Sequence, residues 1–196
     1  MRIFLSGGTG FVGGHVRCSL LEKGHELRLL THKALACPEP GIEAVAGDVT
    51  RPETLAAAMQ DCDAVINLVG IIREFPARGI TFEKLHVTAT KNLLEAARQT
   101  GIRRYIQMSA LGARPGAVSL YHQTKYRAEE EVRASGLDWT IFRPSVIFGP
   151  KDEFINTLAD FLRSLPVVPV IGDGAYRLQP IHGNDVARCF ALALEI

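Results

Sequence analysis

The 196-residue sequence predicts an α/β fold built on a doubly wound parallel sheet, on three observations. Apolar runs of strand length alternate with amphipathic segments of helix length through most of the chain. The runs, Ala64 to Val69 most clearly, are continuous rather than alternating, as in strands buried on both faces. The first run feeds a glycine loop that opens a helix, a βαβ start whose crossover is right-handed.

Each element follows in order. Arg2-Ile3-Phe4-Leu5 is the first strand, and Ser6-Gly7-Gly8-Thr9-Gly10-Phe11-Val12-Gly13 turns it into a helix over Phe11 to Lys23, stopped by Gly24. His25 to Leu30 is the second strand and Ala44 to Val49 a short third one. Thr50 and Glu53 then have the spacing of a capping box for the next helix. Ala64 to Val69 is the fourth strand, and Ile71 to Ile80, with Pro76 and Gly79, is a loop. Phe82 to Gln99 reads as one long helix ended by Gly101, and Tyr105 to Met108 as the next strand. The loop Ala110 to Val118 precedes a charged helix over Leu120 to Ala134, closed by Gly136 before the strand Trp139 to Phe142. Beyond Pro150 the pattern weakens to a helix over Glu153 to Leu165, a short strand over Val167 to Ile171 and a last helix capped by Asn184. The expected organisation is a dinucleotide-binding domain over 1–150 and a partial, truncated substrate-side region over 151–196.

Composition narrows the functions. With 47% hydrophobic residues the chain can bury a full core, and 22 basic against 21 acidic residues create no field that would recruit nucleic acid. Cys18, Cys37, Cys62 and Cys189 are scattered without a C-x-x-C pair, so neither zinc nor a disulfide scaffold is expected. No His, Cys and carboxylate set clusters for a metal. The longest apolar run, Ala64 to Ile72, is broken by Asn67 and falls short of the roughly 20 residues that span a membrane. The first strand starts too early for a signal peptide. A cytoplasmic protein is expected, with a peripheral seat on a membrane complex left open.

Two constellations carry chemistry. Glycines at 7, 10 and 13 allow a tight turn, close approach of backbone amides to a diphosphate, and close packing of helix on strand, so a dinucleotide is the natural guest. Tyr121 and Lys125 lie four apart on the charged helix, hence on one face. A phenol near pKa ~10 is a poor acid or base at neutral pH, and a neighbouring ammonium plus a cationic nicotinamide would favour its phenolate and bring it into range.

Several segments then converge: Gly7 to Gly13, Gly47-Asp48-Val49, Ala89 to Ala97, Tyr121 to Lys125, Arg143 to Pro150, and Ile181 to Ala187. Through them the chain resembles the extended and atypical short-chain dehydrogenase/reductase superfamily, with its Rossmann fold and epimerase/dehydratase-like members. His86-Val87 and Met108 to Ala113 resemble, more narrowly, the branch of the nucleotide-binding accessory subunit of respiratory complex I and its bacterial relatives.

The resemblance implies that Gly7, Thr9, Gly10, Phe11, Val12 and Gly13 cover the diphosphate. Asp48 and Val49 would lie beside the adenine, and Leu68, Val69 and Gly70 along the nicotinamide ribose, which Lys125 would hold. Met108, Pro144 and Val146 complete the cofactor set. The end of the second strand selects the nucleotide, and here Thr31, His32 and Lys33 offer no carboxylate. NADP(H) is therefore favoured and NAD(H) remains open. Tyr121, Lys125 and Ser109 are the candidate catalytic residues. The usual serine or threonine position, two beyond Ser109, is Leu111, which cannot donate a proton. Ser109 either substitutes for it or finishes the strand. Asn67 either touches cofactor or is satisfied by its surroundings, and His86, where an asparagine is common, either orients Lys125 or packs in the core.

Two functions stay open. One is an oxidoreductase or epimerase acting on an unknown small molecule. The other is an NADP(H)-binding accessory or assembly subunit whose partner is a respiratory complex or another membrane-associated protein.

Overall fold

The computed structural model describes residues 1–32, 40–164, 173–175 and 177–196. Lys33 and the strand expected over Val167 to Ile171 lie outside these described residues. Six parallel strands form the main sheet: β1 (Arg2–Ser6), β2 (Glu26–Thr31), β3 (Ile42–Ala46), β4 (Ala64–Asn67), β5 (Arg104–Met108) and β6 (Asp138–Phe142). Their order is β3-β2-β1-β4-β5-β6, so the chain reverses its winding between β1 and β4. In such a Rossmann sheet the crevice outside the carboxyl ends at that switch point is where a ligand sits.

Helices cover both faces because the strands are apolar on both. Ile3 and Leu5 of β1 point into one core with Leu27, Leu29, Ile66 and Ile106. Helices α1 (Phe11–Glu22) and α6 (Gly183–Leu192) close that core through Val16, Leu20, Val186 and Phe190. Phe4 points into the other core, closed by α2 (Leu55–Met59), α3 (Ala89–Gln99) and α4 (Leu120–Arg133) through Leu55, Met59, Leu93 and Val132. α5 (Phe154–Ser164) buries none of its residues.

Several expected boundaries shift, each for a local reason. The third strand runs Ile42–Ala46 rather than to Val49, because the chain turns where the Thr50 amide and hydroxyl both donate to Asp48 Oδ1, at 2.8 and 2.7 Å. Thr50 therefore caps no helix; a tight turn at Pro52–Thr54 leads into α2 instead. The long helix expected from Phe82 opens as a wider π-helical turn over Glu83–Thr88 before α3 begins. The last helix is capped by His182, whose Nδ1 accepts the Asn184 amide at 3.1 Å, while Asn184 Oδ1 meets His15 Nδ1 at 2.6 Å. Two short strands that the sequence did not announce, β7 (Ile147–Phe148) and β8 (Ile181–His182), pair in parallel beside the main sheet. Among the described residues no helix is long and apolar enough to cross a membrane.

Candidate functional site

A continuous cleft of about 2670 Å³ lies over the carboxyl ends of the strands. The glycine loop forms its floor. Gly7 turns with φ of +76°, and a Cβ there would lie 2.8 Å from the backbone of Leu68 and Val69. A Cβ on Gly13 would stand 2.5 Å from the Gly7 carbonyl oxygen, so this glycine sets how closely α1 approaches the loop. Gly10 has room for a side chain, its nearest neighbour being 3.5 Å away; its smallness keeps the approach to the helix open. α1 begins with no side-chain cap on Gly10 and no acidic residue in its first turn. Its free amides and positive dipole end therefore lie uncompensated in the cleft wall, ready for a diphosphate.

Most of the residues expected at the cofactor line this cleft: Gly7, Thr9 to Gly13, Thr31, His32, Val49, Leu68 to Gly70, Met108, Pro144 and Val146. Asp48 does not. Burial works against its charge, the Thr50 amide and hydroxyl outweigh that, and the carboxyl is held below its usual range.

Tyr121 lines the cleft from the first turn of α4, set edge-on between the rings of Phe82, His86 and His122. Burial pushes its phenol above the ordinary range, opposite to the lowering a facing ammonium would produce. The reason is visible one helical turn on. Lys125 is 3% exposed and its Nζ donates to two carbonyl oxygens, Val69 at 3.4 Å and Met108 at 3.3 Å. It sits immediately behind Gly70, where a Cβ would come within 2.7 Å of Nζ. Burial lowers its pKa to about 8, against the raising influence of Glu129.

His86 is an inward strut of the π-helical turn. Its Nε2 accepts the Ile71 amide at 3.2 Å and its Nδ1 meets the Thr124 hydroxyl at 2.9 Å, so the neutral ring with hydrogen on Nδ1 satisfies both contacts. Burial, with Lys125 nearby, lowers its pKa to about 3. Ser109 lines the cleft, but its hydroxyl is buried and turned toward Glu129, without a well-formed hydrogen bond. Leu111 is half exposed in the cleft wall.

Spacing alone missed three features. A Cβ on Gly8 would meet Leu29 and Leu5 at 2.3 and 2.7 Å, a cross-strand packing demand with no local signature. Glu129 completes a row with Tyr121 and Lys125 at intervals of four, a signal the sequence did carry. It is fully buried and bound by Arg143, whose Nε lies 2.7 Å away, and by Arg133 at 2.7 Å. Gln107 sits beside Asn67 in the sheet register, legible only once β4 and β5 are paired.

Residues 7–158 match the family described as NAD(P)H-binding, which is more than half of the chain. The chain belongs to this NAD(P)H-binding family. It is 31% identical over 198 residues to the mitochondrial NADH dehydrogenase [ubiquinone] 1 alpha subcomplex subunit 9 of Arabidopsis thaliana, covering 96% of this chain and 49% of that protein. It is 30% identical to a ceramide reductase of Caulobacter vibrioides, covering 94% of this chain and 58% of the relative. The chain thus spans about half to three-fifths of the length of these curated relatives. The solved structure of MoeE5 in complex with UDP-glucuronic acid and NAD superposes with a TM-score of 0.84 at 24% identity, covering 100% of this chain and 73% of that one. Both the superfamily resemblance and its narrower branch are borne out, and the bound partner of the family is a nicotinamide dinucleotide.

Proposed function

We propose that the chain holds a nicotinamide dinucleotide along the glycine loop and is the nucleotide-binding part of an oxidoreductase, with Tyr121 as general acid/base and Lys125 beside it. The observation that carries this reading is Tyr121 lining the cleft while the Lys125 ammonium waits behind Gly70. When bound there, a reduced nucleotide would supply hydride to a carbonyl carbon. Tyr121, whose raised pKa keeps its proton at neutral pH, donates that proton to the carbonyl oxygen, and the product is the alcohol. Lys125, held behind Gly70 by the Val69 and Met108 carbonyls, would support the phenolate left behind and lie beneath the ribose of a bound nucleotide. Ser109 finishes β5 under Glu129 rather than serving as the acid's partner.

NADP(H) is the preferred nucleotide in this reading, because His32, exposed at the end of β2, brings a basic group and no carboxylate to the cleft. Asp48 would reach the adenine through its backbone, its carboxylate being engaged with Thr50. The outer cleft supports an apolar carbonyl substrate: Ile71, Ile72, Phe75, Leu111, Val118 and Leu178 all line it. Residues 151–196 belong to the substrate side in this assignment, since Lys151, Asp152, Phe154 and Arg177 line the same outer half.

Leu111 favours a second reading, an accessory subunit of a membrane-associated respiratory complex that keeps the nucleotide for stability. Incubation with NADPH and a panel of apolar ketones separates the two. The oxidoreductase reading expects turnover that Tyr121→Phe lowers about 100-fold or more with nucleotide affinity retained. Tight NADPH binding with no ketone reduced is the result expected of the accessory reading.

A further inference from the structure

Three buried polar side chains lie in one register row across the middle of the sheet: Ser6 on β1, Asn67 on β4 and Gln107 on β5. Buried amides are costly unless satisfied, and here the satisfaction is directional. The Ser6 hydroxyl donates to Asn67 Oδ1 at 2.9 Å, and the Val69 amide donates to the same oxygen at 3.0 Å. Asn67 Nδ2 donates to Gln107 Oε1 at 3.0 Å and to the Thr90 hydroxyl at 3.4 Å. Gln107 Oε1 also accepts the Tyr105 hydroxyl at 3.2 Å, which leaves Gln107 Nε2 to donate to the Met108 carbonyl at 3.4 Å. Asn67 thereby uses both acceptor and both donor positions, and Gln107 both acceptor positions and one N–H, so neither amide can flip without breaking the row.

The ends of this row coincide with the seat of Lys125. The residue whose amide Asn67 holds, Val69, and the residue whose carbonyl Gln107 holds, Met108, are the two that accept from Lys125 Nζ. We infer that Asn67 and Gln107 are positioning residues for Lys125: the Ser6–Asn67–Gln107 row fixes the two backbone carbonyls that hold its ammonium behind Gly70. The role of Lys125 toward a nucleotide rests on the proposed function; the seat itself does not. The other titratable groups acting on the ammonium are Glu129 from α4 and the neutral His86 from the π-helical turn, while Tyr121, one turn earlier on α4, is shifted by burial alone. Glu129 is in turn neutralised by Arg143 from the end of β6 and by Arg133. The ends of β4 and β5 offer it only neutral dipoles.

The test is an NMR titration of the nucleotide-free protein carrying ¹³C at lysine Cε, with the Lys125 signal assigned by its loss in Lys125→Arg. Gln107→Met releases the Met108 carbonyl and Asn67→Leu releases the Val69 amide, while the ammonium stays buried. Each is expected to lower the Lys125 midpoint by about half a pH unit or more. Leu27→Ala, in the core closed by α1 and α6, measures what mere loosening does and is expected to leave the midpoint in place. If Asn67→Leu does not fold, the nearly isosteric Gln107→Met carries the test. A midpoint that stays or rises in Gln107→Met, or that moves as far in Leu27→Ala, overturns the inference. A double-mutant cycle on NADPH affinity then reports the functional link: Gln107→Met should weaken binding in the wild-type background and not in Lys125→Met. Additive losses would contradict positioning through Lys125. No NADPH binding by the wild-type protein would contradict the functional reading and leave the titration result standing.

Discussion

A methyl group at residue 13 would stand 2.5 Å from the Gly7 carbonyl and from Gly8, all backbone that cannot step aside. Gly13→Ala is therefore expected to cost about 1–3 kcal/mol, seen as a lowered Tm, and to weaken nucleotide binding by displacing the α1 amides. Gly14→Ala, next in the chain with nothing within 4 Å, serves as the control and should be neutral or slightly stabilising. The glycines at 7, 10 and 13 were legible in the sequence because strand, loop and helix are contiguous there. Gly8 and Gln107 were not, because what fixes them is a neighbouring strand, and no local spacing encodes a cross-strand register. The part of a lowered Tyr121 phenol pKa that was expected from Lys125 is missing for a similar reason. Four-residue spacing puts Lys125 on the same helix face, but burial raises the phenol, and the carbonyls of Val69 beyond β4 and Met108 at the end of β5 hold the ammonium.

At the scale of elements, the helix over 82–99 was legible as a helix, and its π-helical opening was not. Apolar periodicity runs through both parts, while the widened turn holds His86 against Ile71 and Thr124, 15 and 38 residues away. This strut makes a pH dependence. The folded pKa of His86 is lowered to about 3, so the folded ring stays neutral while the unfolded ring takes a proton below its ordinary 6.5. Stability is full above pH 6.5 and falls as pH drops toward 3, by up to about 1.4 kcal/mol per pH unit. Denaturant unfolding between pH 7 and 4 should show this slope, and His86→Gln should flatten it; an equal slope in the variant would contradict the strut. The helix caps were legible only in part, since Thr50 has the spacing of a capping box, yet Asp48 two residues earlier competes successfully for its amide and hydroxyl.

For the whole molecule, the alternation of strands and helices was enough to anticipate the parallel sheet, and the strand order β3-β2-β1-β4-β5-β6 puts the cleft at its switch point. The pairing of β7 with β8 was not legible, because two-residue strands carry no periodicity. It brings α6 back onto α1, so residues after 180 share the first core with the glycine-loop helix. The proposed preference for NADP(H) rests on the end of β2, with His32 at the cleft. Calorimetric titration with NADPH and NADH, on the wild-type chain and on Gly13→Ala and His32→Glu, tests the central claim that this cleft holds a nicotinamide dinucleotide. The account predicts that both nucleotides bind, that NADPH binds more tightly, that Gly13→Ala weakens both, and that His32→Glu removes the preference. Absence of binding by either nucleotide, or affinities indifferent to Gly13→Ala, would contradict it.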